Sequence, residues 1–124
     1  MSLANSERLR LIWQFAEMAL DLEVIKEDIR HEYRAWFAES AASSQLCEDG
    51  ETFSKVARIV DLEARVLAGV MDEHRSLAIR VFRLVQQWLE RFDVATCRCI
   101  FEGGSFRRRF IDRVVQYIMC QMNT

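Results

Sequence analysis

The 124-residue chain contains no proline and only four glycines, at positions 50, 69, 103 and 104. β-Sandwiches and βαβ folds need many tight turns, and tight turns are rich in these two residue types. Apolar residue types make up 51% of the chain, enough for a hydrophobic core in a soluble protein of this length. The sequence therefore predicts a single all-α domain over residues 1–124.

Apolar residues recur at spacings of three and four along nearly the whole chain, as they do on one face of an α-helix. Small and polar residues over 40–50 predict a loop, and Asp72 is the candidate N-cap of a third helix. The pair Gly103-Gly104 predicts the end of that helix, because glycine commonly terminates helices. The pattern predicts a four-helix, bundle-like domain with a long first helix, spanning about 6–38, 52–71, 73–101 and 105–122.

Charge and cysteine content argue against several functional classes. The 17 lysines and arginines are balanced by 19 acids, and a net charge of −2 is not typical of a dedicated nucleic-acid-binding protein. Cys97 and Cys99 would lie about 200° apart on a helix, so they cannot share a metal ion, and Cys47 and Cys120 add no ligand motif. Charged residues interrupt the N-terminal apolar run, so we expect no signal peptide, no membrane segment, reduced thiols and a cytoplasmic location.

The sequence contains no motif that indicates catalysis. His31 and His74 lie outside any metalloprotease pattern, and there is no nucleophile elbow or phosphate-binding glycine loop. Asp28 and His31 have the spacing of one carboxylate–histidine pair of a di-iron bundle, but such a site needs two pairs and two further carboxylates. We therefore expect no enzymatic activity, no cofactor and no bound metal.

Two segments are apolar around more of their circumference than a surface helix of a small bundle needs, namely residues 9–22 and 110–122. Either both are covered within the chain, or part of this surface is an interface; the sequence favours the interface, with a homodimer as its default form. The predicted dimer interface comprises Leu9, Ile12, Trp13, Ala16 and Leu20. The predicted partner-binding surface comprises Phe110, Val114, Tyr117, Ile118 and Met122 with Arg109 and Arg113.

Arg107, Arg108 and Arg109, with Arg113 one turn further, begin the last helix, where the helix dipole disfavours cations. Three interpretations remain open. The arginines are solvated and pair locally with Asp112; or they contact a protein, including the acidic residues of helix one; or they bind nucleic-acid phosphates. The third has the least support, because no surface aromatic residues are interleaved with the arginines and no recognition helix is evident.

In size, acidity, helical layout and lack of catalytic motifs, the chain resembles the small anti-activators that bind LuxR-type quorum-sensing regulators. The long first helix and the apolar residues Phe110-Ile111, Val114-Val115 and Tyr117-Ile118 fit this resemblance. It implies a bacterial protein that needs no cofactor and covers the dimerisation surface of a transcription factor, so that DNA binding fails. The alternative function is a nucleic-acid-associated regulator that uses Arg107–Arg109.

Overall fold

The computed structural model describes residues 5–40 and 50–122, and all the regular structure in these ranges is helical. Five helices follow one another: α1 (Asn5–Ser40), α2 (Gly50–Ala68), α3 (Asp72–Leu89), α4 (Val94–Glu102) and α5 (Gly104–Met122). The all-α prediction is therefore confirmed, including the long first helix. Most of the predicted loop over 40–50, and Cys47 within it, lies outside the described residues.

The contacts within the chain form two compact units, residues 1–21 with 70–124, and residues 22–69. The helix α1 contributes residues to both. In the first unit the core consists of apolar side chains from four helices: Ile12, Phe15, Ala16, Ala19 and Leu20 of α1, Ala78, Val81, Phe82, Val85 and Leu89 of α3, Ile100 of α4, and Phe110, Ile111, Val114, Val115 and Ile118 of α5. Helix α5 packs against both α3 and α4. The prediction of one domain over 1–124 stays a prediction.

The second unit buries charge as well as apolar surface. Leu22 and Ile29 of α1 are buried there, and so are Glu23 and Lys26 on the same helix. The Lys26 ammonium lies 3.2 Å from the Glu23 carboxylate and 2.8 Å from that of Glu63 on α2. A buried cation must be paired to be tolerated, so these two contacts account for the burial of Lys26.

The predicted third helix over 73–101 is corrected, because it is two helices, α3 and α4, separated by residues 90–93. The backbone of Asp93 is extended, and its carboxylate accepts a hydrogen bond of 2.7 Å from the Thr96 N–H. This side chain is the N-cap of α4, and it satisfies one of the N–H groups that a helix leaves unpaired at its start. The Cys97 thiol, also on α4, donates to the Leu89 carbonyl at the end of α3 and so links the two helices across the turn.

The remaining helix boundaries differ from the predictions by a few residues. Helix α2 ends at Ala68, before Gly69, rather than at residue 71. Asp72 is the first residue of α3 rather than its N-cap; Met71 holds the cap position, and the Asp72 carboxylate pairs with Arg75 at 2.8 Å. Gly103, between α4 and α5, and Gly104, the first residue of α5, have φ angles of 96° and 67°, which confirms the predicted break.

The N-cap of α4 leads to a stability prediction. We expect Asp93→Ala to lower the melting temperature and to speed amide exchange in the first turn of α4, because the Thr96 N–H loses its acceptor. Asp93→Asn keeps an acceptor oxygen and should retain most of the protection. Asp112→Ala, which removes an exposed carboxylate of α5, is the control. Equal exchange in α4 for Asp93→Ala and the native chain would contradict the capping role.

The same cap predicts a dependence on pH. The hydroxyl of Thr96, and after it the Thr96 backbone N–H, stabilise the Asp93 carboxylate and hold its pKa below the ordinary value of 3.8. A lowered pKa in the folded state means that this stabilisation is complete above pH 3.8 and disappears as the pH falls through the folded pKa. An asparagine side-chain amide does not titrate. The loss of melting temperature that protonation of Asp93 causes at acid pH should therefore be absent from Asp93→Asn.

Candidate protein-binding surface

Helix α5 has one buried face and one exposed face that carries aromatic and cationic side chains. Phe106, Arg113 and Tyr117 lie close together along α5 because they are separated by seven and four residues, and all three are exposed, as is Arg109 beside them. Phe106 is 55% exposed and Tyr117 is 41% exposed, which is unusual for large aromatic side chains. The exposed face of α5 therefore presents both apolar surface and positive charge.

Aromatic residues from α3 and the turn after it continue this face. The Trp88 ring centroid lies 5.5 Å from that of Tyr117 and 6.3 Å from that of Phe110. The Phe92 ring lies 6.1 Å from the Phe110 ring in an edge-on arrangement and is itself 42% exposed. Ring contacts thus run from exposed Phe92 through buried Phe110 and half-buried Trp88 to exposed Tyr117. We define the α5 surface as Phe92, Phe106, Arg109, Arg113 and Tyr117.

Hydrogen bonds hold Tyr117 in place from the side. The Gln121 Nε2 donates to the Tyr117 hydroxyl at 2.7 Å, and the Gln121 Oε1 accepts a bond of 3.5 Å from Arg80 on α3. The ring is also packed against Trp88. These contacts restrict the rotation of Tyr117, so binding through this ring loses less side-chain entropy than binding through a ring without them.

The arginine cluster at the start of α5 divides into two groups. Arg107 donates to the Asp21 carboxylate at 2.9 Å and to the Glu17 backbone carbonyl at 3.4 Å, which joins α5 to α1 within one chain. In the part of the chain that the structure describes, the exposed side chains of Arg108, Arg109 and Arg113 form no ion pair or hydrogen bond. Two of these three unpaired guanidinium groups belong to the α5 surface. The predicted contact of the cluster with the acids of helix one is thus made by Arg107 alone, within its own chain.

The structure corrects part of the predicted partner-binding set. Phe110, Val114 and Ile118 are buried in the core of their own unit, so their side chains are not available to a partner. Tyr117, Arg109 and Arg113 are exposed, and Met122 is half-buried at the end of α5. The apolar residues of α5 from Phe110 to Ile118 are therefore covered within their own unit, with the exception of Tyr117.

The predicted dimer-interface set is corrected in the same way. Ile12, Ala16 and Leu20 belong to the core. Leu9 is 45% exposed and Trp13 is half-buried, and both line an open groove on α1. The interface prediction is therefore reduced to these two residues and their neighbours on the same face.

Two members of the α5 surface were absent from the predicted set. Phe92 comes four residues after Trp88, so the apolar spacing places it inside the predicted helix over 73–101. The structure instead places it in the exposed turn after α3. The signal that could have found it is Asp93, a capping residue directly after it. Phe106 lies within the predicted last helix over 105–122, and its spacing of seven from Arg113 could have indicated that it shares a face with that arginine.

No protein-family model, curated protein or solved structure matches the chain. Within the described ranges, no three or more histidine, cysteine, aspartate or glutamate side chains are grouped so that they could hold a metal ion. In the same ranges, no helix is both long and apolar enough to cross a membrane. The expectations of no catalysis and no cofactor stay predictions.

Proposed function

We propose that the chain is a non-catalytic regulator that binds a partner protein through the α5 surface. The observation that carries this proposal is the pairing of exposed aromatic rings with unpaired arginines on one face: Phe92, Phe106 and Tyr117 beside Arg109 and Arg113. Aromatic residues and arginine are the side chains most enriched at the centres of protein interfaces. The surface thus has the composition of an interface before any partner is bound.

The charges on this surface indicate what the partner presents. Arg109 and Arg113 are exposed and unpaired within the described ranges, so a partner segment with carboxylates at matching positions gains charge-assisted hydrogen bonds. Covering the exposed part of each aromatic ring contributes about 1 kcal/mol, from the usual value for burying apolar area. We infer a partner segment with apolar and acidic residues on one face, such as an amphipathic helix.

A transcription factor is the specific partner that we propose. Occlusion of its dimerisation surface by an apolar helical face would prevent DNA binding without a cofactor. The layout of a long first helix followed by short ones fits the anti-activators of LuxR-type quorum-sensing regulators, and α5 supplies the aromatic face that such occlusion requires. A bacterial, cytoplasmic regulator of quorum sensing is accordingly part of the proposal.

The alternative function, a nucleic-acid-associated regulator, also has an observation in its favour. Arg108, Arg109 and Arg113 are exposed and carry no ion pair within the described ranges, although Arg107 is engaged by Asp21. Salt separates the two functions. Phosphate binding weakens linearly with the logarithm of salt concentration, whereas capture of an apolar face responds much less.

The test is a quantitative pull-down from the source cell with the full chain as bait, followed by mass spectrometry. We expect one dominant partner that is lost from Tyr117→Ala and from Arg113→Glu, because these changes remove the anchored ring and reverse a charge of the α5 surface. Matched controls on α2 are Val60→Ala, which removes a more exposed apolar side chain, and Arg58→Glu, which reverses an exposed arginine that is unpaired within the described ranges.

A partner that is lost equally from the control variants would contradict the proposal. The same holds for a partner that is retained by both α5 variants. Recovery of nucleic acid in place of protein, with retention that falls steeply as salt is added, would support the alternative function. A thermal melt of each variant checks that the fold is intact, which we expect because all four substituted side chains are exposed.

A further inference from the structure

An open groove of about 370 Å³ lies on the N-terminal part of α1. One helix supplies every residue that lines it: Ser6, Leu9, Arg10, Trp13, Gln14 and Glu17. These residues recur at spacings of three, four and seven, so they form one continuous face about three turns long. Because one helix supplies the whole lining, the groove has no second wall, and an elongated occupant such as a second helix fits it better than a compact small molecule.

The charges on this face are self-complementary. Arg10 and Glu17 are both exposed and lie seven residues, or about 10.5 Å, apart along the helix axis, so they occupy the same side of the face. Neither side chain forms an ion pair within the described part of the chain. Only the backbone carbonyl of Glu17 is engaged, as the acceptor for Arg107. One positive and one negative group on the same face are thus available to a partner with the reverse order of charges.

A second copy of α1 in antiparallel orientation has that reverse order. If a two-fold axis passes between Trp13 and Gln14, Arg10 lies opposite Glu17 of the partner subunit, and the symmetry forms the same pair a second time. Side chains separated by seven residues occupy the same flank of a helix, and in an antiparallel pair of helices like flanks meet. In a parallel pair, by contrast, each Arg10 would lie level with Arg10 of the partner subunit and each Glu17 level with Glu17 of the partner subunit, so the opposite charges would not face one another.

We propose that the chain forms an antiparallel homodimer through this face of α1, with two symmetric Arg10–Glu17 ion pairs around the Trp13 side chains. Leu9, which is 45% exposed, supplies further apolar surface at each end of the contact. The dimer goes beyond the proposed regulatory function because it shares no residue with the α5 surface. Dimerisation and partner binding can therefore fail independently.

The contact is small, and this determines how it is measured. Three turns of one helix on each side bury less than the roughly 1,600 Å² of a standard protein interface. We therefore expect a reversible dimer that forms at about micromolar concentrations and above. Sedimentation velocity of the full chain over a concentration series measures its dissociation constant directly.

The decisive test is a charge exchange. Arg10→Glu and Glu17→Arg each place like charges opposite one another, and we expect either change alone to raise the dimer dissociation constant about tenfold or more. The double variant Arg10→Glu/Glu17→Arg rebuilds both pairs in reverse, so dimerisation should return to within about threefold of the native value. Asp112→Arg on α5 is the control charge reversal and should leave the dissociation constant unchanged.

Three results would overturn the proposal: a native chain that stays monomeric over the whole concentration series, single variants that dimerise as well as the native chain, or a double variant that is no better than the single ones. Circular dichroism melts accompany each variant. Because Arg10 and Glu17 are exposed and their side chains are unpaired within the described ranges, we expect all the variants to fold.

Discussion

The Ile118→Arg protein should lose its cooperative thermal unfolding transition. Ile118 is 0% exposed and lies in the core of its unit, one turn after buried Val114 and Val115 on α5. An arginine there must either bury an unpaired charge or displace α5 from α3 and α4, and each costs several kcal/mol. That cost is comparable to the whole stability of a small domain, which is about 5–15 kcal/mol.

The matched control is Gln116→Arg, two residues earlier on the exposed face of the same helix. It adds the same charge to the same helix, and we expect its melting temperature to change by no more than a few degrees. Far-ultraviolet circular dichroism during heating measures both variants. A cooperative transition for Ile118→Arg at the native temperature would show that Ile118 lies on a surface, as the apolar pattern of α5 alone suggests, and not in the core.

Lys26→Met should destabilise the chain by about 3 kcal/mol, near the lower limit for breaking a buried ion pair. Lys26 is only 4% exposed and its ammonium contacts both Glu23 and Glu63, so its removal leaves two carboxylates close together without the cation between them. The cost is at the lower limit because the Glu63 side chain is 34% exposed and so keeps access to water. Urea unfolding curves measure the difference.

Two further variants make this result specific. Arg58→Met removes an exposed cation of α2 that has no ion pair within the described ranges, and we expect its stability to stay within about 0.5 kcal/mol of the native value. Lys26→Met/Glu23→Met replaces a charged pair by apolar groups and should recover much of the lost stability. A stable Lys26→Met protein would mean that the carboxylates of Glu23 and Glu63 need no cation between them.

The helices could be predicted from the sequence because apolar spacing and the shortage of turn residues are local properties of the chain. The break at 90–93 was missed because apolar residues keep helical spacing straight through it, from Trp88 to Phe92 and on to Cys99. The local signal was Asp93, which caps α4 through Thr96, but a single capping residue carries less weight than a long periodic stripe.

The candidate binding surface could be predicted only in part, because periodicity shows that α5 has a wide apolar face but not which of its residues are covered. That choice depends on the packing of α3 and α4 against α5, which buries Phe110, Val114 and Ile118 and leaves Tyr117 exposed. In the same way, the contact of Arg107 with Asp21 joins residues 86 positions apart. Spacing along one helix carries no information about such a contact.

The role of the α5 surface in binding is tested most directly by the affinity of the captured partner for the Tyr117→Ala protein, measured by isothermal titration beside the native chain. Loss of an interface aromatic ring should weaken binding at least about tenfold, and the affinity of the native chain should fall with added salt much less steeply than phosphate binding would. Equal affinity of the native and Tyr117→Ala proteins would contradict binding through this surface.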